Sequence, residues 1–380
     1  MVYALATSLL IILTYVHKIG GKSDYYSSKW GMLLLIGALF LSYKIWKKYH
    51  WSAAFVFGYF SISSINIFSN YANQYESYNY ISKLVLMQYG AVGLVSYILI
   101  YFLVNEIKQK DYAVLNNFLG LVCLVDALYV ILQWYLGYTF PHIGGLWANV
   151  GVNGVFIAVL CPFLFNSRLK YLFPVVIASI LLSKTSVALG TLCVVLGSYC
   201  LLQTKYGLLK RCLLCITIVA SLFFVASRYD ADLYSDSRRF ELYKAYVAQF
   251  SKQEKTFSKT TVKYLTGWGV GSFPLQGVIS QQKFGAQDVG WAQWAHSDWL
   301  QLFLEGGLIG FILCVNLFMF VLWRSRKDAV LCSQVLGYGA SMVFLYPVHY
   351  PIHAFFMLYL IKRSFCPRSK LTLSEPLCFF

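Results

Sequence analysis

Charge is what this 380-residue chain has least of. Asp, Glu, Lys and Arg make up 12% of it, about half the roughly 25% of a soluble domain. With 59% hydrophobic residues and a mean hydropathy of +0.61, a water-soluble globule is excluded. Acids are scarcer than bases, 15 against 31. Cysteine is missing from the whole interval between residues 216 and 313, so no disulfide framework lies there; the gap suits an oxidising compartment, where unpaired thiols are a liability. Tandem repeats and low-complexity linkers are lacking too.

What is present is apolar runs of membrane-span character. They predict helices near 3–16, 30–43, 51–68, 84–104, 114–136, 154–165, 171–183, 186–203, 212–226, 299–323, 331–346 and 350–361. The run at 154–165 is shorter than the ~17 residues of a full crossing, which makes it re-entrant or longer than its apolar core. The expected fold is therefore an all-α polytopic membrane protein of about twelve transmembrane helices. Residues 1–380 form one transmembrane domain, with a large hydrophilic loop at 227–298 and a loose tail at 366–380.

Basic residues fix the orientation. Seventeen Lys and Arg lie in alternate connections, among them Lys44, Lys108, Arg168, Lys210, Arg326 and Arg363, against five in the short connections of opposite parity. The positive-inside rule puts both termini in the cytoplasm and the 227–298 loop outside. The net charge of +16 thus has a topological cause and implies no nucleic-acid partner. Cys212 and Cys215 have C-x-x-C spacing but no second pair, and are read as structural.

The unusual polar residues then fall on the outward face. GYTFPHIGGLWANVGVN (137–153) carries His142, Asn149 and Asn153; SKTS carries Lys184; SDSRRFELYKAY carries Arg238 and Arg239; WAHSDWLQLFLEGGLIG carries His296, Asp298 and Glu305; YPVHYPIH carries His349 and His353. Outward cations beside a membrane suit an anionic ligand, with Arg a planar fork for phosphate. A histidine beside them could take a proton from an acceptor hydroxyl. Together they describe transfer of a group off a lipid-linked pyrophosphate, the cations stabilising the leaving diphosphate; no metal is implied.

The order R-F-E-L-Y-K-A-Y, G-W-G-V-G-S-F, then H-S-D-W-L-Q-L-F-L-E-G-G-L-I-G resembles the signature of the O-antigen ligase and O-antigen polymerase superfamily, which includes bacterial O-oligosaccharyltransferases. LWANVGVNG, the L-S-K-T-S turn and the Y-P-V-H hairpin extend the similarity to roughly 140–355. The resemblance implies a GT-C-like fold in the bacterial inner membrane, an undecaprenyl-pyrophosphate-linked glycan donor and metal-independent transfer without a cofactor. By that resemblance His296 is the catalytic residue that activates or orients the acceptor, and Arg239 binds donor phosphate, with Lys184 and Arg238 beside it. Glu305, Asp298, Asn149, Asn153 and His349 support the site. Lys184 stands where relatives often carry arginine, which keeps a cation and loses bidentate recognition. The implied acceptor is a protein hydroxyl such as a pilin serine, lipid A-core, or a growing O-antigen chain; membrane lipids are the other partners.

Each residue has a plainer reading. His296 could cap the helix that starts after it, Arg239 could be a solvated charge, and Glu305 could neutralise a cation inside the bundle. Asp126 either pairs with a buried cation or lines a lumen. Lys252 to Lys263 lie in a Ser/Lys/Thr-rich stretch that reads as exposed and mobile. GWGVGSF has no preceding strand and no helix with a phosphate-facing N-terminus plainly after it, so a nucleotide-loop reading fails. Pro351 separates His349 from His353, so they are not a helical metal pair. The competing class is a transporter of lipid-linked sugars, which would show charges along a through-membrane path and inverted repeats.

Overall fold

A computed structural model of the chain describes residues 107–138, 150–165, 168–203, 233–251, 257–269, 273–284, 295–345 and 351–365, with single positions between them. The expected spans at 3–16, 30–43 and 51–68, nearly all of the spans at 84–104 and 212–226, and the 366–380 tail lie outside the described residues. Among those described, the chain is all-helical, without strands: α1 (Tyr112–Tyr135), α2 (Val150–Leu160), α3 (Pro162–Phe165), α4 (Phe173–Ser183), α5 (Ser186–Leu202), α6 (Leu233–Ser251), α7 (Phe257–Thr266), α8 (Phe273–Lys283), α9 (Asp298–Ser325), α10 (Ala329–Phe344) and α11 (Pro351–Ser364). α1 and α9 are long and apolar enough to cross a membrane; the apolar segments Val150–Phe165, Leu169–Ser183, Ser186–Leu202 and Ala329–Phe344 are shorter. The short predicted run at 154–165 does extend into its N-terminal flank, starting at Val150.

The outward sides of α1 and α9 are apolar. Val114, Leu121, Val125, Leu128 and Leu132 on α1, and Leu308, Ile309, Ile312, Leu313 and Leu317 on α9, are exposed. Such a surface fits a hydrocarbon solvent and would be a liability in water. The opposite stripe of α1, at Leu115, Leu119, Cys123, Ala127 and Val130, is buried in the main core with α2, α4, α5, α10 and α11; its spacing of three and four residues keeps it on one helix face.

A second core belongs to the loop. α6 turns Leu242, Ala245, Tyr246 and Phe250 inward against Phe273, Ala295 and Leu304. Ring contacts hold it: Tyr246 on Phe273 at 4.8 Å, Phe250 on Trp268 at 5.5 Å and Phe250 on Phe303 at 5.1 Å. α9 is common to both cores, since its first turns carry Leu304 and its last Val321.

The bundle has two distinct ends. At one, Arg363 pairs with Asp328 at 3.2 Å, and the Lys362 ammonium donates to the carbonyls of Val104 and Ile107 at 2.8 and 2.7 Å. At the other lie the α4–α5 turn, the end of α10 and the starts of α2, α9 and α11. Three contacts define that end. The Asp298 amide donates to the Leu345 carbonyl at 3.0 Å, the His353 ring bonds the Val152 carbonyl at 3.2 Å, and Gly154 faces the Thr185 and Ser183 hydroxyls, to which an added Cβ would come within 3.2 and 3.6 Å.

Candidate functional site

The expected site residues that are described fall at or near this second end. α6 delivers the first pair. Arg239 and Tyr243 are one turn apart and so project from the same face. The Arg239 guanidinium donates to the carbonyl of Phe344, the last residue of α10, at 3.2 Å, where helix-end carbonyls favour a cation. The Tyr243 hydroxyl donates to the His296 carbonyl at 2.8 Å. The reading of Arg239 as a free loop charge therefore gives way to a docked one. The side chain of Arg238, its neighbour, lies outside the described residues.

His296 sits in the bend before α9. The capping role is held by Ser297: its hydroxyl oxygen accepts from the Leu300 amide at 3.2 Å and its hydrogen reaches the Met342 carbonyl at 3.3 Å. His296 itself takes a left-handed conformation, φ 54°, and the one other non-glycine residue with positive φ among those described is Lys184, φ 52°. A side chain in that region costs about 1–2 kcal/mol, and such strain gathers at functional positions. Burial, and then the neighbouring Arg239 cation, lower the His296 pKa from 6.5 to about 4. The imidazole is thus neutral at physiological pH and able to accept a proton or hydrogen bond.

Asp298 and Glu305 turn out to be buried. Asp298 opens α9, its backbone joined to α10 as described above. Glu305 organises the loop: one carboxylate oxygen accepts from the Phe273 amide at 2.9 Å and from the Gln301 amide group at 3.3 Å. Gln301 in turn accepts from the Ala295 amide at 3.2 Å, so a single chain of bonds ties the start of α8 to the residue before His296. The backbone does the same. The amides of Trp268 and Gly269 donate to the carbonyls of Leu304 and Glu305 at 2.8 and 2.9 Å. α9 kinks there at Gly307, φ 60° and ψ −164°, a region open essentially to glycine alone.

A helix does follow G-W-G-V-G-S-F, α8 beginning at Phe273, but it does not make a nucleotide loop of the segment. Its first amide faces Glu305, a carboxylate of this chain, so the start of α8 is closed by an internal acid. The Lys-rich stretch differs from the sequence reading, since 257–266 is helical as α7.

Lys184 is exposed on the α4–α5 turn, its amide donating to the Leu181 carbonyl at 3.1 Å. Asn153 is buried and serves a neighbour: its amide nitrogen donates to both oxygens of Asp126, at 2.8 and 3.1 Å. Asp126 is thereby placed as a wholly buried acceptor beside Gly145, where an added Cβ would meet its carboxylate oxygen at 2.6 Å. Gln133 holds Gly145 by accepting from its amide at 2.9 Å. His353 is a packing residue. The Val152 carbonyl can only accept, so the Nε2 that faces it carries the proton and Nδ1 accepts from the Tyr338 hydroxyl at 2.8 Å. His142, Asn149 and His349 lie outside the described residues.

A groove of about 200 Å³ opens between α9, α10 and α11, with Asp298, Gln301 and Glu305 at one end and Leu317, Val321 and Leu360 along it. Two carboxylates at that end of the groove would repel an anion, whereas the Arg239 side carries a cation. No cluster of three His, Cys, Asp or Glu side chains suited to a metal occurs among the described residues; Asp230 and Asp232 form a D-x-D pair outside them. Sequence reasoning missed Tyr243 and Gln301. Both carry a signal, four residues after Arg239 and four before Glu305, the spacing of helix-face neighbours.

No protein-family model and no curated protein matches the chain.

Proposed function

We propose that this protein is a polytopic bacterial inner-membrane glycosyltransferase of GT-C-like architecture, with about twelve spans and both termini cytoplasmic. It moves a glycan from an undecaprenyl pyrophosphate to an acceptor hydroxyl at the periplasmic face, a protein serine or threonine by preference, or lipid A-core. The observation that carries the reading is the meeting of Arg239 and His296, residues far apart in sequence, at the end of the bundle away from Lys362 and Arg363.

The chemistry follows from that pair. Arg239 binds a donor phosphate oxygen and stabilises charge on the departing diphosphate. His296, kept neutral by burial and by Arg239, accepts the proton of the attacking hydroxyl as the new glycosidic bond forms and the bond to the diphosphate oxygen breaks. Diphosphate bound to Arg239 offsets the cation that holds His296 down, so donor binding makes the histidine a stronger base. Lys184, exposed on the adjoining corner, adds a second cation for the diphosphate.

The test is a reconstituted assay with a polyprenyl-pyrophosphate-linked glycan and acceptor protein or lipid A-core. His296→Ala and Arg239→Ala are each expected to lower turnover by about 10² or more, the range of a lost general base or oxyanion donor. Undiminished transfer in both variants would overturn the site assignment; sugar translocation without transfer to any acceptor would favour a transporter.

A further inference from the structure

α7 is the part of the outward loop with no place in the reaction above. Its ten residues, FSKTTVKYLT, contain two lysines and no acid. Thr261, Tyr264 and Leu265 are exposed and share one face by their spacing of three and four. Tyr264 packs one edge on Phe250 at 5.3 Å yet keeps 37% of its surface open, and Leu265 keeps 39%.

What this face adjoins identifies its partner. The backbone of Leu265 lies directly on the kink of α9, where a Cβ at Gly307 would come within 2.5 Å of the Leu265 carbonyl carbon. The next residues of α9, Leu308 and Ile309, are 45% and 50% exposed and begin its outward apolar stripe. The open apolar face of α7 is therefore continuous with a span's lipid-facing side, at the level where that side starts. Tyrosine and lysine are the side chains suited to such a boundary, one with a polar tip on an apolar body, the other reaching for phosphate.

We propose that α7 is an interfacial helix, seated in the headgroup layer of the outer leaflet. Tyr264 and Leu265 enter the acyl boundary, and Lys263 holds phospholipid phosphate. The helix leads straight into the Trp268–Gly269 backbone that grips Leu304 and Glu305, so the depth of α7 in the leaflet sets the loop's position above α9. This holds independently of the glycosyl-transfer reading.

The full chain in nanodiscs of phosphatidylethanolamine and phosphatidylglycerol provides the test. Leu265→p-benzoylphenylalanine is irradiated beside Leu313→p-benzoylphenylalanine, a reference on the exposed stripe of α9. Phospholipid adducts on the 257–269 peptide, in yield comparable with the reference, are expected. They should be lost when Lys263→Glu and Tyr264→Asp are added, while the reference stays unchanged. Protein-only or solvent-only products at 265 beside a lipid-labelled reference overturn the proposal, and so does failure of both positions to reach lipid. Hydrogen exchange at Trp268 and Gly269 verifies that α7 is still docked in each variant.

Discussion

The His296 ring is held in its neutral form by two forces that act in the same direction. Removal from water disfavours the imidazolium most, and the Arg239 cation adds to that, giving a pKa of about 4 in place of 6.5. If neutral His296 is the working form, kcat/KM should be flat through neutral pH and fall by half near pH 4, as the free protein's histidine gains a proton. In Arg239→Gln the repelling cation is gone, so the surviving activity should show its acid limb at higher pH. For wild type the kcat limb should lie above the kcat/KM limb, because bound diphosphate offsets Arg239. A single limb at pH 6.5, the same in both proteins, would separate the two residues. The same shift costs the folded state stability in acid. Between pH 4 and 6.5 the unfolded chain binds the proton and the folded chain does not, so stability falls as pH drops through that window.

Helices show most clearly which features hydropathy reveals. The reading of 114–136, 186–203 and 331–346 meets Tyr112–Tyr135, Ser186–Leu202 and Ala329–Phe344, because these helices are apolar along nearly their whole length. α6, α7 and α8 leave no such trace. α6 and α8 pack a narrow face on a small second core, and α7, which touches it through Tyr264 on Phe250, lies hidden in a Ser/Lys/Thr-rich composition. The kink of α9 was equally invisible, since E-G-G within an apolar run reads as uninterrupted helix; what bends it is a loop forty residues upstream in the chain. That bend gives a sharp prediction. Gly307→Ala places a side chain at φ 60°, ψ −164° and drives it toward the Leu265 backbone, a strain of about 1–3 kcal/mol before the clash is counted. The melting temperature should fall, and exchange should quicken at the Trp268 and Gly269 amides that dock on the kink. Gly306→Ala is the control: it meets nothing within 4 Å and replaces a helical glycine, so it should leave stability unchanged or raise it by a few tenths to about 1 kcal/mol.

At the scale of the whole molecule, the main and loop cores share one element, and α9 carries His296 at its head and Arg324 near its tail. The helix covers about 40 Å at 1.5 Å per residue, enough to place those residues on opposite sides of a hydrocarbon layer about 30 Å thick. Lys362, Arg363, Arg324 and Asp328 gather at the tail, whereas Arg239, His296 and the α4–α5 turn with Lys184 gather at the head. In the proposed topology, argued from the charge bias of the short connections, the tail faces the cytoplasm, and the proposed reaction needs the head outside. Truncation fusions decide it. Alkaline phosphatase, active only when exported, should be active when joined after Lys283, ahead of α9. Green fluorescent protein, bright only when it folds in the cytoplasm, should be bright when joined after Arg326, beyond α9. The reverse pattern would put His296 and Arg239 in the cytoplasm. The pair would then still define an anion site, but a transfer confined to the periplasmic face would be ruled out.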